Sequence, residues 1–431
     1  MKKILLTLFF LLFIPSNTLA QNLLEALKEA YNNNTELNAE RENLSISEQD
    51  LKISKSEYLP SATITSSKSR EDTNKLTNQS GGDATINDVD PLSTSIKIEQ
   101  TLVDFGRGAD YQKKKIGIDL AKAKLFKKEQ DIIYKAIEAY SGLITAKEKE
   151  EINRKNVELK ISQLETDRIR LERGEVKLSD LAQSESSLAG AEAQYIQSKS
   201  EVVTSKLNYE NVIGKVNVNN LQKSIQSIVK IPPTLENAIE LSKKNNHDIK
   251  IAELELNQAE KDITIAKSDL APTASLSLER SYTEDLSTTY DEREKDVLKA
   301  TVSWPFYSGG KKFATLDKNQ SIKVRQRLLL DNAIKNNLTG VTSAWSNLLS
   351  SESFLNSVRA QVKAAEIANE GITAEYLSGA GSRSTLDLIQ SNSLLLNAQI
   401  SLANSERNYL LAQYNLLKSV GLLTSSYLNL R

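Results

Sequence analysis

Two periodicities divide this chain. From Leu188 the small and apolar positions run Leu188, Ala191, Tyr195, Ser198, Val202, Ser205, Tyr209 and Val212, in steps of three and four by turns. That is a heptad seam, which predicts a helix packed along its length against a neighbour. The seam returns 207 residues later as Leu395, Ala398, Leu402, Ser405, Tyr409, Ala412, Leu416 and Ser419. The stretch before each seam repeats at the same offset, Gly174 to Asp180 and Gly381 to Asp387. Between Gly106 and Arg173 the pattern is helical throughout, with Ile132, Ala136, Tyr140, Leu143 and Ala146 on one face and no proline. A second such run spans about 311–377. Sixty-odd residues at 1.5 Å each make about 100 Å of helix, longer than a globular core requires.

The other periodicity is two. After Pro91, Leu92, Thr94, Ile96, Ile98, Gln100 and Leu102 alternate with Ser93, Ser95, Lys97, Glu99 and Thr101. Leu298, Ala300, Val302, Trp304 and Phe306 alternate with Lys299, Thr301 and Ser303, through Pro305. After Pro272, Ala274, Leu276 and Leu278 alternate with Ser275, Ser277 and Glu279, a weaker alternation follows Pro60, and proline marks a strand boundary because it lacks the ladder N–H. Strands are expected at about 61–72, 92–105, 273–284 and 297–308. Between them, 73–90 and 283–296 are read as polar hairpin loops. Each strand is long enough to cross a bilayer at a tilt. A soluble sandwich is disfavoured, because the hairpins are separated by more than 150 residues of helix. Two hairpins cannot close a barrel alone, and an open edge in lipid leaves backbone groups unpaired, so several chains are expected to share one barrel. Tyr58, Phe105, Trp304, Phe306 and Tyr307 cluster at one end of the hairpins, where an interfacial aromatic girdle would lie. Lys97, Glu99, Glu279 and Lys299 are expected to face a lumen.

The repeats define the organisation. Residues 23–66 match 235–278 at an offset of 212, with Pro60 on Pro272. The expected parts are a first repeat, 22–213, a linker, 214–234, carrying Pro232-Pro233, a second repeat, 235–420, and a short tail, 421–431. Lys2 and Lys3, the apolar run from Ile4 to Ile14 and the small residues Thr18-Leu19-Ala20 predict a signal peptide over 1–20.

Composition then narrows the function. A formal net charge of −1 gives no electrostatic case for nucleic acid. The chain has no Cys and one His, His247, in a polar run that reads as solvated surface. With no Gly-rich phosphate loop either, an enzyme is not expected, nor a metal or cofactor.

The signal peptide, the duplication, one membrane-type hairpin per copy and long helices meeting at a Gly-containing turn together resemble the TolC family of outer membrane efflux proteins. Carrying pieces are Ser56-Glu57-Tyr58-Leu59-Pro60, Gln100-Thr101-Leu102-Val103-Asp104-Phe105-Gly106, Trp304-Pro305-Phe306-Tyr307-Ser308-Gly309-Gly310 and Arg170-Leu171-Glu172-Arg173-Gly174. The resemblance implies a mostly α fold with a transmembrane β part: a homotrimer whose hairpins form a 12-strand barrel in the outer membrane of a Gram-negative bacterium, and whose helices form a periplasmic α-barrel. It implies a passive duct in contact with outer membrane lipid, docked to a periplasmic adaptor (membrane fusion) protein and an inner-membrane pump, for efflux or type I secretion. It places a periplasmic gate at Asp387, Gln390, Asp180 and Arg383, with Gln390 standing where the family has a second Asp. It places adaptor contacts at Arg170, Gly174, Gly379 and Gly381. For Asp180 and Asp387 the plainer reading, a solvated cap at a helix start, stays open. The alternative for the whole chain is a periplasmic structural or adaptor coiled coil without channel activity.

Overall fold

A computed structural model describes residues 22–72, 89–215, 221–224, 230–286, 291–378 and 383–430. The expected signal peptide, most of the 73–90 loop, and Gly379 and Gly381 lie outside the described residues. The element order repeats: α1 (Leu23–Asn33), α2 (Thr35–Ser56), β1 (Ser61–Lys68), β2 (Leu92–Val103), α3 (Arg107–Glu172), α4 (Leu178–Val212), then α5 (Leu235–Asn245), α6 (His247–Ser268), β3 (Thr273–Glu284), β4 (Glu292–Ser303), α7 (Lys311–Ser378) and α8 (Thr385–Val420). By contact the chain divides into two compact units. One is Met1–Asn38, Lys127–Asn246 and Asn337–Arg431; the other is Ala39–Phe126 and His247–Asn336.

The first unit holds the apolar core. The expected face of α3, Ile132, Ala136, Tyr140, Leu143 and Ala146, is buried. Ile133, Ile137 and Tyr140 pack with Leu27 and Ala30 of α1, Tyr209 of α4, and Leu410, Tyr414 and Leu417 of α8. A second cluster sets Ala238 of α5 against Val341, Ala344 and Leu348 of α7 and against Ala412, Leu416 and Val420 of α8. The two copies thus bury equivalent faces on opposite sides of α8. The segment after α8 is more than a tail, since Leu423, Leu428 and Leu430 are buried in the first cluster. Gly421 makes this possible. It caps α8 at φ +85°, and the next N–H, of Leu422, donates to Leu417 O at 2.9 Å. That is a left-handed stop which turns the chain back over its own helix.

In the second unit the two hairpins form one antiparallel sheet in the order β1-β2-β3-β4. Hairpins far apart in sequence are joined through β2 and β3, with Ile98 opposite Leu278. The strand boundaries differ from expectation in two places. The first strand stops at Lys68. The last runs from Glu292 to Ser303, where 297–308 had been expected, so Trp304 and Pro305 lie beyond it. Residues 292–296 were read as loop because they are all charged. They pair with 280–284 instead, where Arg280 meets Glu294 and Asp296, and strand period sorts the acids and the bases onto opposite faces.

One face of the sheet carries Ile64, Ile96, Ile98, Leu276, Leu278, Leu298 and Val302, all exposed. The other carries Lys97, Glu99, Glu279 and Lys299 among Ser and Thr, as alternation predicted. Along β2 and β3 the polar face is the more shielded and the apolar face the more exposed. The sheet therefore curls with its polar face concave.

His247 departs from the reading of it as solvated surface. It is partly buried and stacks on Phe126 at 5.6 Å between ring centroids, with its Nε2 buried and unbonded. Burial pushes its pKa below the ordinary value, more than the Asp248 carboxylate raises it. The unfolded chain then takes up the proton first, so stability is full above about pH 6.5 and declines as pH falls. His247→Phe is expected to keep the stack and flatten that decline. Equal falls in melting temperature between about pH 7.5 and about pH 5.5 in both proteins would refute it.

Candidate functional site at the helix turns

The site is built from four helix ends in the first unit. Helix α3 ends in a left-handed turn. Gly174 sits at φ +73°, Glu175 N–H donates to Arg170 O at 2.9 Å, and Gly174 N–H donates to Leu171 O at 2.9 Å. That 6→1 bond satisfies a helix-end carbonyl, and a side chain at Gly174 would meet no atom within 4 Å. Helix α4 starts with Asp180 accepting from Lys177 N–H at 2.9 Å. Helix α8 starts with a reciprocal capping box. Ser384 N–H and Oγ–H donate to Asp387 Oδ2 at 2.9 and 3.0 Å, and Asp387 N–H donates to Ser384 Oγ at 3.2 Å. These bonds to Ser384, and after them the Arg383 charge, hold the Asp387 carboxyl below the usual carboxylate range. It is fully charged at neutral pH. Gln390 follows one turn later and is exposed.

The bonds of Asp180 and Asp387 are thus local caps. Arg383 reaches back along its own hairpin, Nε donating to Glu375 Oε2 at 2.7 Å. Arg170 is drawn inward: its Nε donates to Glu175 at 3.1 Å, its Nη1 to Tyr376 O at 3.4 Å, and its guanidinium lies 4.5 Å from the Tyr376 ring centre.

What joins the helices is a buried network that sequence reasoning missed. Asp167 of α3 is 0% exposed. Its Oδ2 accepts from Ser184 Oγ of α4 at 2.6 Å, and its Oδ1 accepts from the Tyr376 hydroxyl of α7. The Tyr376 hydroxyl also lies 3.1 Å from Thr385 Oγ1 of α8. Four side chains from four helices are linked in one chain of bonds, with two of them on the Asp167 carboxylate. Two of these links stay within a hairpin; the Tyr376–Asp167 bond, with Arg170 stacked above it, ties the α3/α4 hairpin to the α7/α8 hairpin.

A signal for this was present in the heptads. On α3, Asn153, Lys160 and Asp167 recur every seven residues, and on α4 Ser184, Ala191 and Ser198 do the same; all six are buried. Taken antiparallel from the Asp167–Ser184 bond, they form successive layers of a polar seam. Burial pushes the Lys160 ammonium below its ordinary pKa. A seam this polar gains little from apolar burial, and of these six positions Asp167 and Ser184 supply the bond that crosses between the helices, Asn153 and Lys160 bonding within α3. Among the described residues no cluster of acidic or histidine side chains is arranged to hold a metal.

Comparison with known proteins places this architecture. The chain matches the family model described as outer membrane efflux protein over residues 26–215 and 238–422. It is 25% identical over 415 residues to the outer membrane efflux protein BepC of Brucella suis, covering 96% of this chain and 88% of that protein. It is 23% identical over 451 residues to the outer membrane protein TolC of Escherichia coli, covering 98% and 87%. Among solved structures, the CmeC outer membrane channel of Campylobacter jejuni superposes with a TM-score of 0.81 at 16% identity, covering 93% of this chain and 85% of that one.

Proposed function

The chain belongs to the outer membrane efflux protein family and has its TolC-like channel fold, and from that premise we propose that three copies form a passive duct gated at the helix turns. The family is one of channel proteins of the Gram-negative outer membrane. The observation that carries the reading is the open sheet. Its edge strands β1 and β4 have no further partner within the sheet, and its convex face is apolar and exposed, with Leu298 at 72%. An exposed 12-residue edge strand is an aggregation hazard in water and unsatisfied in lipid. Three such sheets joined β1 to β4 remove every edge and turn the apolar faces toward lipid. At the foot of the sheet Tyr58, Phe105, Trp304, Phe306 and Tyr307 are all exposed, Phe306 at 86%, and Trp304 Nε1 donates to Leu270 O at 3.0 Å. They supply the interfacial girdle.

The duct carries substrate from an inner-membrane pump through a periplasmic adaptor. The open turn at Gly174 is offered to that adaptor, and Arg170 holds the turn against Tyr376 from within. At the mouth, Asp387 from three chains gives a ring of three charged carboxylates, with Gln390 beyond it and Arg383 and Asp180 setting the turns. A charged ring selects ions of opposite sign.

The test is single-channel conductance of purified protein in a planar bilayer. A small, cation-preferring conductance is expected, with cation preference weakened in Asp387→Ala. Unchanged ion selectivity in that variant would remove the ring. No conductance from folded, detergent-extracted protein would favour a coiled coil without a channel.

A further inference from the structure

The charges of the sheet are sorted by face in a way that bears on what passes through it. The run Glu292-Arg293-Glu294-Lys295-Asp296 is mixed in sign and close to neutral as a sequence. As part of β4 it is not mixed at all. Glu292, Glu294 and Asp296 fall on the convex apolar face, in register with Glu284, Tyr282 and Arg280. Arg293 and Lys295 fall on the concave polar face. The acids cannot neutralise the bases through the sheet, and they have a partner of their own: Arg280 lies 3.4 Å from Glu294 and 3.9 Å from Asp296.

The concave face has two zones. Near the helices its charges cancel. Lys97 lies opposite Glu279 and 2.7 Å from Glu99, and Glu99 shares a row with Lys299. Toward the β3–β4 loop the last two rows of that face within the strands carry no acid, Asp285 and Asp291 lying beyond the strand ends. The row of Lys295 continues across the sheet as Ser281, Ser95 and Thr65, and the row of Arg293 continues as Thr283, Ser93 and Ser67. Each row is one cation followed by three hydroxyls. Ser93 and Thr283 hydroxyls are already 3.0 Å apart, so the donors of neighbouring strands lie side by side.

We propose that the outer part of the barrel wall is an anion-accepting collar, in which Arg293 and Lys295 from three chains, backed by rows of serine and threonine hydroxyls, favour cargo bearing carboxylate, sulfate or phosphate groups. The inference rests on the closure of the sheet into a trimeric barrel. Cationic rings are the wall chemistry of anion and phosphate pores, and arginine pairs with such oxygens in a bidentate fork. The side chains project into the lumen, so a passing anion lies within about a Debye length of them, ~10 Å at 0.1 M salt. The collar lies in the barrel and the Asp387 ring at the helix turns, and the two select opposite signs. Small-ion selectivity is governed by the narrower of them, so the collar is read with a bulky multivalent anion.

The experiment is block of single-channel current by inorganic tripolyphosphate, added to each side of the bilayer in turn. The expected result is block from one side only, weakened about tenfold or more in Arg293→Gln/Lys295→Gln, and retained in Arg293→Lys/Lys295→Arg and in Lys299→Gln. Retention in the conservative exchange excludes a general loss of folding. Conductance without block, or block of equal strength in the glutamine variant, overturns the collar and leaves the duct standing. Absence of any conductance in wild type overturns the duct and the collar with it.

Discussion

Asp167→Ala is expected to open the helix turns. The substitution removes the bond that ties the two hairpins and strands the buried hydroxyl of Ser184, while the Tyr376 hydroxyl keeps Thr385 alone. Of the two bonds only that of Tyr376 joins the hairpins, and a hydrogen bond to a charged group contributes about 1.5–3 kcal/mol, so the closed arrangement loses about that much. At about 1.4 kcal/mol per tenfold, that moves the closed-to-open balance roughly tenfold to a hundredfold. Single-channel conductance should rise severalfold, and cells carrying the variant should become permeable to large antibiotics. Tyr376→Phe separates gating from packing. It keeps the ring under Arg170 and removes the hydroxyl, costing roughly 1–3 kcal/mol and about a tenfold shift. Ser184→Ala breaks a bond within one hairpin and leaves the tie between hairpins in place. If it raised conductance as much as Tyr376→Phe does, the tie would not be the latch. Wild-type conductance in both Asp167→Ala and Tyr376→Phe would remove the network from the gate altogether.

Gly421→Ala is expected to destabilise the fold strongly, since among the described glycines it alone combines a positive φ with backbone atoms closer than 3.0 Å to the added carbon. The residue needs φ +85°, where a Cβ is strained. The added carbon would also fall 2.4 Å from Asn245 O and 2.6 Å from Asn245 C. Those are backbone atoms at the end of α5 and cannot swing aside as a side chain would. Either α5 moves, disturbing the cluster around Ala238, or the cap unwinds and withdraws Leu423, Leu428 and Leu430 from the core. A loss of about 3 kcal/mol or more is expected, since both routes cost buried contacts. Gly174→Ala is the comparison. It has a similar φ, +73°, with nothing within 4 Å of the new carbon, so only the backbone strain of about 1–2 kcal/mol applies. Thermal unfolding should rank Gly421→Ala well below Gly174→Ala. Equal melting temperatures would mean that the approach of α5 to the α8 cap contributes nothing.

These two sites show what was legible in the sequence and what was not. The seams of α4 and α8 were read position by position, and the structure buries Ala191, Ser198, Tyr209, Ala398, Ser405, Ala412 and Leu416, with the other seam positions half-buried. Asp180 and Asp387 stood out by resemblance, and their capping bonds were legible as the plainer reading because a polar residue at a helix start finds a partner within three residues. Asp167 did not stand out, because its partners are 17 and 209 residues away. Nothing in a local window distinguishes a carboxylate on a seam from one on a solvated face. Arg293 and Lys295 were passed over for a related reason. Five charged residues in a row resemble a loop until the pairing of β4 with β3 imposes a period of two.

By itself the sequence determined the duplication, the long helices with their seams, and the strands with one wetted face. Each follows from a periodicity that a segment carries alone, because backbone geometry sets where every third, fourth or second side chain must point. Only the tertiary structure decided that β2 pairs with β3 to make one sheet from two hairpins, that Gly421 lies under the end of α5, and that Tyr376 meets Asp167. Those facts depend on which segments come together in space, and a pattern within one segment does not contain its partner's address.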